Sequence, residues 1–100
     1  MTENQTVRIG SDAALVLENP AFRLAMDQVK SEVVERWKDC SVRDKEGQLL
    51  LLQLAKLTDR FESILIGTVE AGKLAKHQLD LAKLRDESKP RQFMRRVING

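Results

Sequence analysis

Residues 49–65 read LLLLQLAKLTDRFESIL, and the fold turns on this stretch. Leu50, Leu54, Leu57, Phe61 and Ile64 recur in it at alternating steps of four and three. Side chains three and four apart are neighbours on a helix, so these five form one ladder along a single face. Leu51, Leu52 and Leu65 widen that face beyond a bare coiled-coil seam. A helix with so broad an apolar arc must be packed against another helix. The stretch therefore predicts an all-α protein in which the ladder is the helix-packing and oligomer seam.

Upstream, Asn19-Pro20 predicts the start of a helix. Asn offers a side-chain oxygen to an orphan backbone N–H, and Pro at the first helical position has no N–H to lose. Phe22, Met26, Val29, Val33 and Trp37 then fall on one stripe, with Arg23, Asp27, Lys30, Glu35 and Lys38 around the other side. This helix should end near Asp39–Cys40. Ser41-Val42-Arg43-Asp44 resembles a weak capping box and predicts that a second helix opens at Ser41. So short a connection makes the two helices antiparallel neighbours in a hairpin, with the Phe22–Trp37 stripe as a partner for part of the ladder.

Downstream, Gly67-Thr68-Val69-Glu70-Ala71-Gly72 admits two readings, a turn or the interior of one helix running from about residue 43 to about 87. The second gives a helix of roughly 65 Å at 1.5 Å per residue. There is no Pro and no Asn-Gly or Asp-Gly signal, and the seam continues through Thr68, Ala71 and Ala75. A continuous or gently kinked helix is the favoured reading. The expected organisation is a flexible or short-helix arm over 1–18, a helical hairpin domain over 19–87, and a basic amphipathic tail over 88–100. Pro90 should mark a break before that tail. Arg91, Phe93, Met94, Arg95, Arg96 and Ile98 are its candidate docking or phosphate contacts.

One hundred residues make one domain with a thin core as a monomer. The formal charge of +2 is too small to name a nucleic-acid partner, but its distribution is uneven. Residues 1–72 hold nine Lys/Arg against twelve Asp/Glu, and residues 73–100 hold eight against three. A basic end on an acidic body steers toward phosphate or toward an acidic protein surface, or is simply a solvated tail. Nucleic-acid binding through that end stays open. A helix-turn-helix does not fit, because Leu50–Leu54 is core material rather than a groove-reading face.

Signatures of catalysis are missing from the sequence. Gly67 and Gly72 lack the Lys-Ser/Thr ending of a phosphate loop. No Cys or His spacing suits a metal, and His77 lies among Lys73, Lys76 and Asp80 as a surface residue. No enzyme activity, cofactor or metal is expected. Cys40, the single cysteine, reads as a small buried apolar residue in a reducing compartment. With no secretory leader and no run approaching the length of a membrane span, the chain is expected to be soluble and cytoplasmic.

Several short pieces carry a resemblance. They are Glu18-Asn19-Pro20-Ala21-Phe22, Glu35-Arg36-Trp37-Lys38, Arg43-Asp44-Lys45-Glu46-Gly47, and Glu70-Ala71-Gly72-Lys73-Leu74-Ala75 with Gln78-Leu79. Over roughly residues 18–80 the chain resembles a group of small helical proteins of tailed bacteriophages. Gly67 departs from that group's pattern. The resemblance implies a phage-encoded protein acting in the host cytoplasm or incorporated in the virion, during head assembly or DNA packaging. A small terminase subunit or a structural adaptor would fit, as a homo-oligomer. No separate DNA-binding domain precedes the hairpin, which weakens the terminase form. The alternative is a small regulatory protein that binds a host or phage protein, or nucleic acid. Phe93, Met94 and Ile98, or Trp37, would be its anchors.

Overall fold

A computed structural model describes the backbone of residues 1–99 and the side chains of residues 1–86. Three helices build it: α1 (Glu3–Glu18), α2 (Pro20–Asp39) and α3 (Lys45–Asn99). Among the described residues there is no strand.

The N-terminal arm, expected to be flexible or a short helix, is helical over Glu3–Glu18. Thr2 Oγ1 accepts from the Gln5 N–H at 3.2 Å, and Gln5 Oε1 accepts from the Thr2 N–H at 3.0 Å. This reciprocal capping box satisfies two orphan donors and starts a helix of 16 residues. Asn19 then serves two helices at once. Its N–H donates to Val16 O to close α1, and its Oδ1 accepts from the Ala21 and Phe22 N–H groups at 2.9 and 3.2 Å to open α2.

The second connection also differs in detail from the sequence reading. Ser41 belongs to a turn and not to the helix start: its carbonyl accepts from the Asp44 N–H at 3.0 Å, and its Oγ accepts from the Arg43 N–H at 3.2 Å. The cap is Asp44, whose Oδ1 accepts from the Gly47 N–H at 3.0 Å. A carboxylate there both fills an orphan donor and meets the positive end of the helix dipole, which a serine hydroxyl does less well. Gln48 Nε2 donates to the carbonyls of Ser41 and Val42, tying the turn to the first turn of α3.

α3 runs through Gly67–Gly72 without interruption, and no glycine among the described residues has positive φ. The helix also continues through Lys89-Pro90, where the sequence predicts a break. A proline can stay in a helix that gives up one hydrogen bond. The side chains of Arg91, Phe93, Met94, Arg95, Arg96 and Ile98 lie outside the described residues.

Packing is thin. Among the described residues the buried hydrophobic side chains are Ala13 and Ala75, each 6% exposed. They lie beside a very tight crossing, where buried Gly10 of α1 meets buried Gly72 of α3. A Cβ on Gly10 would stand 2.7 Å from Gly72 Cα, and one on Gly72 would stand 2.8 Å from Gly10 Cα. Only the missing side chains let the backbones approach so closely. Elsewhere on α3, the rings of Phe22 and Phe61 lie 6.3 Å apart at 43°. Trp37 shares a cleft with Leu51 and Leu52. The start of α2 thus meets the middle of α3, and the end of α2 meets the start of α3, so the two run in opposite directions.

Candidate interaction surface

The most covered residues of α3 are not those of the ladder. Leu51, Ala55, Thr58, Glu62, Leu65, Thr68, Gly72, Ala75 and Leu79 are half-buried or buried positions. Up to Leu65 each stands one residue beyond a ladder position, about 100° further round the helix. Leu50, Leu54, Leu57, Phe61 and Ile64 remain between 40% and 65% exposed. The Phe22–Trp37 stripe covers the ladder only in part: the Phe61 ring meets that of Phe22, and Leu54 shares a cleft with Val29. The reason is the width of the apolar arc. One partner helix covers only part of it, and Ala55 and Thr58 permit a closer approach than a row of leucines.

The stripe on α2 divides in the same way. Phe22, Met26 and Val33 are half-buried, whereas Val29 and Trp37 are exposed. Val29, Glu32 and Arg36 line a cleft with Leu54 and Thr58 on the ladder side. Val33, Val34 and Trp37 line another with Leu51, Leu52 and Ala55 on the far side. Two apolar faces thus lie open, one on each side of the plane through α2 and α3.

Between them an ion pair crosses the helices. Lys30 Nζ donates to Glu62 Oε2 at 3.0 Å, with both side chains about one-third to two-fifths exposed. The hydrogen bond to Glu62 raises the Lys30 pKa above its ordinary 10.5; burial works against it, and the charges of Glu62, Asp59 and Asp27 add to it. Cys40 is half-buried, with Sγ facing Asp44 O at 3.8 Å and Asp44 Oδ2 at 3.7 Å. Burial pushes its thiol above the ordinary 9.0, and the neighbouring Asp44 carboxylate pushes the same way.

Nothing in the described residues gathers three His, Cys, Asp or Glu side chains as a metal site, and none of their helices is long and apolar enough to cross a membrane. His77 is exposed. The sequence reading missed the Gly10–Gly72 crossing, although Val7, Gly10, Ala14 and Leu17 at helical spacing could have signalled a packed α1. Compared with models of known protein families, with curated proteins and with solved structures, the chain matches none.

Proposed function

We propose that this chain is a non-enzymatic, self-associating helical assembly protein. The observation that carries the reading is the uncovered surface. The chain presents 8726 Å² to solvent, where a compact protein of its mass presents about 5,800 Å². A chain whose buried hydrophobic side chains among the described residues are two alanines gains stability by placing its apolar faces against other chains. The resemblance over residues 18–80 supports a setting for that assembly: a structural adaptor or packaging component of a tailed bacteriophage, acting in the host cytoplasm or in the virion.

Size exclusion with light scattering tests the reading. A defined oligomer at micromolar concentration is the expected result, and a clean monomer would overturn it.

A second reading rests on its own observation. Trp37 is 58% exposed at the rim of an apolar cleft, and a large aromatic held open in this way suits docking on a different protein. A regulatory role would follow. It requires a Trp37→Ala chain to lose its partner in the infected cell while keeping its oligomeric mass.

A further inference from the structure

The two open sides carry opposite charge along their edges. On the ladder side, Glu32 and Arg36 line the cleft with Val29 and Leu54. Glu35 and Asp39 stand three residues beyond Glu32 and Arg36 and extend that edge of α2. All four are exposed, and three acids against one arginine leave the edge negative. On the Trp37 side, Lys38 stands four residues beyond Val34, and Lys45 and Lys56 stand seven before and four beyond Leu52. These lysines are exposed. Asp59 lies further along, in the cleft lined by Lys30, and Lys30 is already paired with Glu62. Three lysines against one aspartate leave this side positive.

A two-fold contact sets a face against its own copy, and so brings acids against acids or lysines against lysines. Like charges across a contact cost affinity, and unlike charges steer it and fix its register. The edges complement each other when the ladder side of one copy meets the Trp37 side of another. Exposure leads to the same pairing. The ladder residues are 40–65% exposed, and Val34, Trp37 and Leu52 on the other side are 49–58% exposed. A two-fold dimer hides one side and leaves a similar one in water. A contact between unlike sides covers both on every copy that has two neighbours.

We propose that copies of this chain associate through unlike faces, the Leu50–Ile64 side of one seated on the Trp37 side of the next. The proposal rests on the assembly reading above and names the two faces that perform it. Each copy keeps one face free after its first contact, so the assembly does not stop at two chains. A rotation that closes the series gives a ring, which has the defined mass expected above. Leu57 and Trp37 belong to the two partners of one contact, and a charge placed at either would be buried without a partner.

Light scattering on chains with one side blocked, each checked for helix content by circular dichroism, is the first test. Leu57→Lys and Trp37→Lys should each be monomeric alone, since each lacks one half of the contact. Mixed, they should form a pair of one chain each and stop there, because the remaining sides are blocked. Either chain keeping an oligomeric mass alone means that like sides pair; this overturns the proposal and leaves the assembly reading standing. The second test changes exposed charges only, and so covers a blocked chain that unfolds. Lys38→Glu/Lys56→Glu and Glu32→Lys/Asp39→Lys chains should each dissociate alone and reassemble when mixed, because unlike edges then face each other again. A mixture that stays dissociated, or either chain holding the wild-type mass alone, overturns the pairing. A monomeric wild-type chain removes both the pairing and the assembly reading.

Discussion

Gly67 and Gly72 stand five residues apart on one helix and answer to different forces. Nothing lies within 4 Å of where a Cβ on Gly67 would project, whereas a Cβ on Gly72 would strike the backbone of Gly10. Gly67→Ala should therefore stabilise the protein by about 1 kcal/mol, since alanine loses less backbone freedom on entering a helix. The melting temperature should rise by a few degrees. Gly72→Ala gains the same propensity but must push α1 away from α3, and should lower stability by about 1–3 kcal/mol as other overpacked sites do. Thermal melts of the two variants should shift in opposite directions; a shared rise would mean that the crossing is loose. The letters alone cannot separate these glycines, because what distinguishes them is a residue near the other end of the chain. Cys40 offers a third residue-scale test. With its thiol held above the ordinary range by burial and by Asp44, alkylation near pH 8.5 should run slower than for a free cysteine, and should match it once the chain is denatured.

At the scale of the elements, the existence of α2 and α3 was legible, and the facing between them was not. Asn19-Pro20 and the four-and-three spacing of leucines are local signals, and both correspond to helix in the structure. Which arc of α3 turns inward depends on a comparison between two overlapping series, Leu50-Leu54-Leu57 and Leu51-Ala55-Thr58. The smaller side chains of the second allow closer packing, a preference that hydrophobicity alone ranks the other way. α1 reads from the sequence only as a flexible or short-helix arm because its seam is made of Gly10, Ala13 and Ala14, residues with little apolar weight. Its start depends on the Thr2–Gln5 capping box. Thr2→Ala should cost about 1 kcal/mol of helix stability, seen as faster amide exchange in the first turns of α1.

The Lys30–Glu62 pair ties α2 to α3 in a pH-dependent way. The Lys30 pKa is raised in the folded chain, so the folded state holds that proton more tightly than the unfolded state. Its contribution is complete below the ordinary lysine pKa of 10.5 and is lost as pH rises through the folded value. Denaturation at pH 9 and pH 11.5 should show this loss for the wild type and a smaller one for Glu62→Gln. The effect should be modest, because both side chains remain partly in water.

For the whole molecule, the radius of gyration is 23.8 Å, against about 13 Å for a compact domain of this length. Such a shape has two open sides and no room to bury both by folding alone. If a second copy closes the ladder side, folding and association become one equilibrium, and mass action raises the apparent stability as concentration rises. Each tenfold increase in protein concentration should then add about 1.4 kcal/mol to a dimer, which amounts to several degrees in the melting temperature. Leu57→Lys should abolish that dependence, because a charge at the middle rung would have to be buried without a partner on every association. Trp37→Lys, which places the charge on the other open side, is the comparison chain. Melts of the three chains across a hundredfold range of concentration check this directly. A wild-type melting temperature that does not move with concentration would mean that the thin α1–α3 and α2–α3 contacts hold the fold by themselves, and that the exposed ladder is tolerated by a monomer.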